Sequence, residues 1–167
     1  KVDNLALFDI EFLFLKARSK SAGEKINIIA TDPNDETFST EHEINIDKIG
    51  IERDEKHTDL IEITENVSIK MRYPDISFFN EGVNTDSITN TVSLIARCVS
   101  QIINEDEVID RSELTDSEVE EWLDELTTEQ FRKISDFFVT MPKLKHSFTL
   151  NNPNTGKDFT IVLEGLA

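Results

Sequence analysis

The side chains of this 167-residue chain that could do chemistry are three histidines, one cysteine and a large excess of acids. His42, His57 and His146 lie far apart, without the close spacing that brings imidazoles onto one metal. No Cys-x-x-Cys occurs, so a zinc site would need unrelated ligands to converge. The acidic run that begins at Asn104 invites comparison with a calcium loop, which needs glycine at its sixth position and glutamate at its twelfth. Counted from Asn104 those positions are Ile109 and Thr115; counted from Asp106 they are Arg111 and Ser117. The loop chemistry fails on both counts. Gly156-Lys157 lacks the rest of a phosphate-binding loop and fits a hairpin turn, and no Gly-x-Ser-x-Gly elbow is present. Carboxylate pairs abound, but an acidic surface supplies them by chance. The expectation is a chain with no catalytic residues, no cofactor site and no metal site.

Charge says more than any motif. Thirty-four Asp and Glu stand against seventeen Lys and Arg, a net charge of −17. Sequence-independent nucleic-acid binding depends on cations that neutralise phosphates, so this balance argues against it. It fits a partner with a basic surface. The acids concentrate between Asn104 and Glu125, where eleven of them face one base, Arg111. Such a run is a solvated helix face or a docking surface. Glu105, Asp106, Glu107, Glu120 and Glu121 are the candidates for docking. Phenylalanine is the second compositional signal, with eleven against one Tyr and one Trp. In the doublets Phe78-Phe79 and Phe137-Phe138, adjacent residues on a helix point about 100° apart. One ring can fill the core while the other meets a partner, which makes Phe79 and Phe137 candidates for an assembly surface. The lone Cys98, in a predicted helix, cannot form an internal disulfide and is expected to be a small buried apolar residue. A reducing compartment fits it.

These residues must be positioned by a modest set of elements. An apolar helix is predicted from about Leu5 to Ser21, with one stripe of Ile10, Leu13, Phe14 and Ala17 beside a second of Phe8, Phe12 and Leu15. A helix this apolar is either sandwiched within the domain, the preferred reading, or has a part that waits for a partner, and Gly23 is expected to cap it. Lys25–Thr31 and Glu36–Thr40 flank the turn signal Asp32-Pro33-Asn34-Asp35, and Glu43–Ile49 alternates as a half-buried strand does. Leu60–Ile63 and Val67–Tyr73 flank Glu65-Asn66 as another hairpin. A four- or five-stranded antiparallel meander between Lys25 and Tyr73 follows. From Asn84 to Ile103 the residues Ile88, Val92, Ile95, Val99 and Ile102 recur at helical steps. Thr115 with Glu118, and Thr127 with Gln130, stand at capping-box spacing before two shorter helices. The second of these carries Phe131, Ile134, Phe138 and Met141 on one stripe, and Pro142 stops it. His146–Asn151 and Asp158–Leu163 then alternate around Asn152-Pro153-Asn154-Thr155-Gly156, a closing hairpin. No window is long and apolar enough for a membrane span.

Two of these segments carry a resemblance. LFDIEFLFLKARSKSAGEKINI (Leu7 to Ile28) and FRKISDFFVTMPKLKHSFTLNNPNTGKDFTIVLEGL (Phe131 to Leu166) resemble the corresponding ends of the T4-type bacteriophage baseplate hub assembly proteins. Some members of that family carry cysteine pairs in their hairpins, and this chain has none there. The resemblance implies a virus-encoded protein that helps build the central hub of a contractile tail, with baseplate hub proteins as partners. It implies action in the host cytoplasm during virion assembly, and possible residence in the tail baseplate.

The sequence therefore predicts an α+β protein: an N-terminal helix, a small antiparallel β-meander, a helical cluster and a C-terminal β-hairpin. It forms a single compact domain over 1–167, or two lobes of residues 1–74 and 75–167, and the native chain is expected to be longer at its termini. The function expected is a non-enzymatic hub assembly factor or minor hub component, with no nucleic-acid or membrane partner and an oligomeric state left open. The alternative is a small acidic regulatory or inhibitory binding protein, one form of which would mimic nucleic acid.

Overall fold

The computed structural model describes residues 5–77, 88–105 and 107–165, and in them the chain is α+β. In chain order the elements are α1 (Leu7–Ala22), β1 (Lys25–Asp32), β2 (Asp35–Asn45), β3 (Gly50–Glu52), β4 (Leu60–Glu62), β5 (Val67–Met71), α2 (Ile88–Cys98), β6 (Val99–Asn104), β7 (Glu107–Asp110), α3 (Asp116–Asp124), α4 (Thr128–Thr140), β8 (Lys143–Asn152) and β9 (Lys157–Glu164). The chain divides into two compact units, residues 1–7 with 53–141 and residues 8–52 with 142–167. Apart from residues 1–7 the first is an insert: the chain leaves the second unit after Glu52 and returns at Pro142, next to Lys143, the residue paired with Glu52 between β3 and β8. Position 74, considered as a lobe boundary, falls inside the inserted unit.

The second unit, called here the hairpin unit, begins with α1. Gly23 ends that helix with φ +98° and donates its N–H to the Ser19 carbonyl, a left-handed cap that glycine adopts without a Cβ clash. β1 and β2 form one long antiparallel hairpin around Pro33-Asn34. β8 and β9 form the other, extended by the short β3 into a three-stranded sheet ordered β3-β8-β9. Even-numbered residues of β1, of β2 from Phe38 onward and of β8 are the less exposed, as the two-residue period of a strand requires. The hairpins meet through His42 stacked on Phe148 at 4.2 Å and Phe38 edge-on to Phe159 at 6.1 Å. A small core of Leu15, Ile46 and Leu144 lies beneath, with Phe12, Ile26, Ile49 and Ile51 against it.

The inserted unit carries a four-stranded antiparallel sheet ordered β4-β5-β6-β7, with α2, α3 and α4. Its core is larger, including Ile69, Ile95, Val99, Leu123, Ile134 and Phe137. Both predicted capping boxes form. Thr127 and Gln130 exchange bonds of 2.8 and 3.3 Å at the start of α4, and Thr115 and Glu118 exchange bonds of 2.8 and 3.3 Å at the start of α3.

Two expectations of order are corrected. Antiparallel strands do fill Lys25 to Tyr73, but the two expected at Glu36–Thr40 and Glu43–Ile49 are the single strand β2, which ends at Asn45 before a 3-10 turn at Ile46–Lys48, and the strands belong to three different sheets. Alternation marks a strand without naming its partner, and β3 finds its partner across the insertion. The helix expected to run to Ile103 stops at Cys98, and Val99–Asn104 is strand β6. β-Branched Val99, Ile102 and Ile103 lose little by leaving the helix, and they pair with Met71, Ile69 and Ser68 of β5. Tertiary pairing overrides the helical period there.

Candidate interaction surface

The sequence candidates separate into three groups. Phe79 and Asp106 lie outside the described residues. Phe137 is a core residue, 2% exposed, so its ring offers nothing to a partner; Phe138 is the half-buried member of that doublet. The ring of Phe137 lies against Tyr73 at 5.5 Å and His57 at 5.0 Å, with Phe138 edge-on at 5.1 Å. Rings contributed by β5's continuation and by the segment after β3 turn the buried arc of α4 toward position 137, a placement no local pattern encodes.

The acidic candidates lie on the inserted unit. Glu105 and Glu107 are exposed at the turn between β6 and β7, and Glu121 is exposed on α3. Glu120 is half-buried and accepts a 2.6 Å bond from the Ser93 hydroxyl on α2, so part of its capacity is spent within the unit. Glu105 holds φ +52°, the left-handed region that side chains other than Gly, Asn and Asp seldom adopt. Twenty-two of the chain's 34 acids, against nine of its 17 bases, fall in the inserted unit. Its share of the charge is −13, and that of the hairpin unit is −4. Glu118 titrates below the usual carboxylate range because the Thr115 backbone N–H and hydroxyl both donate to it.

The inserted sheet closes its β4 edge with side chains. The register leaves Leu60 and Glu62 pointing their backbone groups away from β5. Thr58 Oγ1 accepts from the Leu60 N–H and donates to the Leu60 carbonyl, both at 3.2 Å. Lys133 Nζ reaches over from α4 to the Glu62 carbonyl at 3.0 Å. On the opposite strand, the Asp110 N–H donates to the Glu113 carboxylate at 3.2 Å. A strand partner would find these groups taken, which is how edge pairing with other chains is suppressed.

Next to that edge, His57 is held by both ring nitrogens, 2.9 Å from Thr140 Oγ1 and 2.9 Å from the Tyr73 hydroxyl. Thr140 spends its proton on the Asp136 carbonyl, so it accepts from Nδ1–H, and Nε2 is left to accept from Tyr73. Desolvation lowers the pKa of His57, opposed by the nearby charges of Asp59 and Asp54. Burial pushes the Cys98 thiol up to about 12, which makes it inert.

In the hairpin unit the strongest polar feature is Asn152, fully buried. Its amide nitrogen donates to Asp32 Oδ2 at 2.8 Å and Asp35 Oδ2 at 3.1 Å, while its Oδ1 accepts from the Asn154 N–H at 2.9 Å. One amide thus ties the β1–β2 turn to the β8–β9 turn. The Asn152 bond is the main reason the Asp32 carboxyl titrates low, and Asp35 is lowered first by Thr37 and then by Asn152. The sequence shows Asn152 as one turn residue among several; only its proximity to a second acidic turn gives it this role. Among the described residues no three His, Cys, Asp or Glu side chains converge as metal ligands, and no helix is long and apolar enough to cross a membrane.

What remains is a scaffold whose buried side-chain polar atoms, among the described residues, are all hydrogen-bonded and whose surface charge is uneven, an arrangement suited to holding shape and meeting other proteins. The family model for the T4 bacteriophage base plate protein matches residues 1–167. The chain belongs to that family. The match spans the whole chain, well beyond the two end segments whose spacing carries the resemblance, and it makes this a phage baseplate-related structural protein of the virion tail. No curated protein matches the chain, and no solved structure matches it.

Proposed function

We propose that this baseplate-family protein is a non-enzymatic hub assembly factor or minor hub component that binds hub subunits in the host cytoplasm and biases them toward a productive arrangement. The observation that carries the reading is the family match over 1–167. The concentration of charge on the inserted unit supports it and supplies a means. Glu105, Glu107 and Glu121, with Glu120 beside them and Asp106 in the same run, offer carboxylates to a basic surface on a hub subunit. Charge of this kind sets encounter rate and orientation more than affinity.

Co-expression with each hub subunit, followed by size-exclusion chromatography, tests the reading. The expected result is co-elution with at least one subunit. Replacing Glu105, Glu107 and Glu121 together by Lys is expected to slow association by roughly tenfold at low salt and to change dissociation little. Separate elution from every hub subunit would end the proposal.

A further inference from the structure

The N-terminal helix is apolar on two opposite faces, and the molecule uses one of them. Phe8 and Leu15 are buried together with Ser19, and Phe12 packs against the small core of the hairpin unit. At about 100° per residue these positions share one side of α1, and Ile10, Leu13, Phe14 and Ala17 lie on the opposite side. Of the two readings of this helix, burial of both stripes is overturned. Phe14 is 70% exposed, Leu13 is 54% exposed, and Ala17 lies open beside them. Two large apolar residues adjacent on one helix face are unlike the singly scattered apolar residues that any surface carries.

The spacing of that face is i, i+3, i+4 and i+7, the anchor pattern by which an amphipathic helix enters an apolar groove. Its flanks say what kind of groove. Arg18 lies on one side of the stripe and Lys20 on the other, and both are exposed in a chain with twice as many acids as bases. Neither side-chain cation makes a hydrogen bond or ion pair among the described residues, although the field of Lys20 helps lower Asp47. Lys16, by contrast, is tied to Asp47 at 3.0 Å and holds the helix to its own unit. The helix is thus anchored from behind, and its outer face keeps two free cations beside two exposed anchors.

We infer that α1 is a docking helix whose Ile10-Leu13-Phe14-Ala17 face inserts into an apolar groove, rimmed by carboxylates, on another baseplate protein. The partner set rests on the baseplate reading above; the docking face does not. Aromatic and aliphatic anchors of this kind dominate interface energy when a groove desolvates them, while the flanking cations fix orientation.

The test uses the full chain with p-benzoylphenylalanine placed at Phe14, or at the exposed controls Ile29 and Val139, co-expressed with each of the phage's other baseplate proteins. Irradiation is expected to crosslink position 14 to one of them, through a peptide bearing apolar residues and Asp or Glu. Leu13→Asp with Phe14→Asp should weaken that complex about 30-fold or more, the size of a hot-spot loss. Arg18→Glu with Lys20→Glu should weaken it less and reduce its salt dependence. Because all four positions are exposed, the melting temperature of the free protein should be unchanged. If a baseplate protein binds and the Leu13/Phe14 variant binds it equally well, the docking helix is refuted while the baseplate reading stands. A crosslink from position 14 to a second copy alone also refutes it, in favour of self-association. Capture of no baseplate protein from any of the three positions removes both readings.

Discussion

The two units build antiparallel sheet in contrasting ways. In the inserted unit four strands and three helices share a core of twelve buried apolar residues among those described, and side chains occupy the outward Leu60 N–H and carbonyl and the Glu62 carbonyl of β4. In the hairpin unit two long ribbons lie on a clustered core of three buried apolar residues, with Phe8, Ala30, Ile44 and Phe159 buried outside that cluster, and a single buried amide clasps their turns. The inserted unit relies on area removed from water, which is non-directional and grows with the number of buried side chains. The hairpin unit buries fewer such side chains and adds directional polar contacts to them. The difference teaches where each is vulnerable: volume loss should hurt the first, and loss of one hydrogen-bonding group should hurt the second.

The sharpest way to break this contrast is Phe137→Ala. Removing a ring packed against Tyr73, His57 and Phe138 should cost about 3–5 kcal/mol, read by urea unfolding followed at the single Trp122. Little effect would mean the insert's core is not what holds it. A smaller loss, about 1–3 kcal/mol, is expected for Asn152→Ala, because the Asp32 and Asp35 carboxylates both lose the amide that donates to them. Amide exchange should speed up at both turns of the hairpin unit and stay unchanged in α4; an unaltered pattern would show the clasp to be dispensable.

Acid should also act on the units in sequence. His57 has a pKa below its ordinary 6.5, so folding favours the neutral ring. Its contribution is complete above that value and erodes as pH falls through 6.5 toward the lower native value. Asp32, Asp35 and Asp47 have lowered values, so their contribution is present above the ordinary carboxylate value near 3.8 and is lost only as pH falls through their native values. Between pH 7 and 5 the inserted unit should therefore loosen while the hairpin unit holds, visible as exchange confined to residues near His57. Substituting His57→Gln should flatten that window. The smallest effect on stability belongs to Lys133→Ala, at most about 1 kcal/mol for a mostly exposed contact. Its signature lies elsewhere: with the Glu62 carbonyl released, light scattering of concentrated protein should rise, as it should not for Lys157→Ala.

Much of the local structure was legible in residue order. Thr115 with Glu118 and Thr127 with Gln130 announce two helix starts, Asp32-Pro33-Asn34-Asp35 and Asn152 to Gly156 announce two hairpin turns, and Gly23 announces a helix end. Each is settled by groups within a few residues of one another, where backbone hydrogen bonds and allowed dihedrals leave few alternatives. The exposed carboxylates of Glu105, Glu107 and Glu121 were legible too, because an acid without a partner stays in water.

What residue order left open depended on neighbours distant in the chain. Which ring of Phe137-Phe138 turns inward follows from Tyr73 and His57; where α2 gives way to β6 follows from pairing with β5. The partner of β3 is a strand some ninety residues away, and the occupied face of α1 is chosen by Ile46 and Leu144. Periodicity fixes that a helix has an apolar stripe or a strand an apolar side. Burial energy carries no address, so the choice between two apolar faces is made when the rest of the chain arrives to cover one of them.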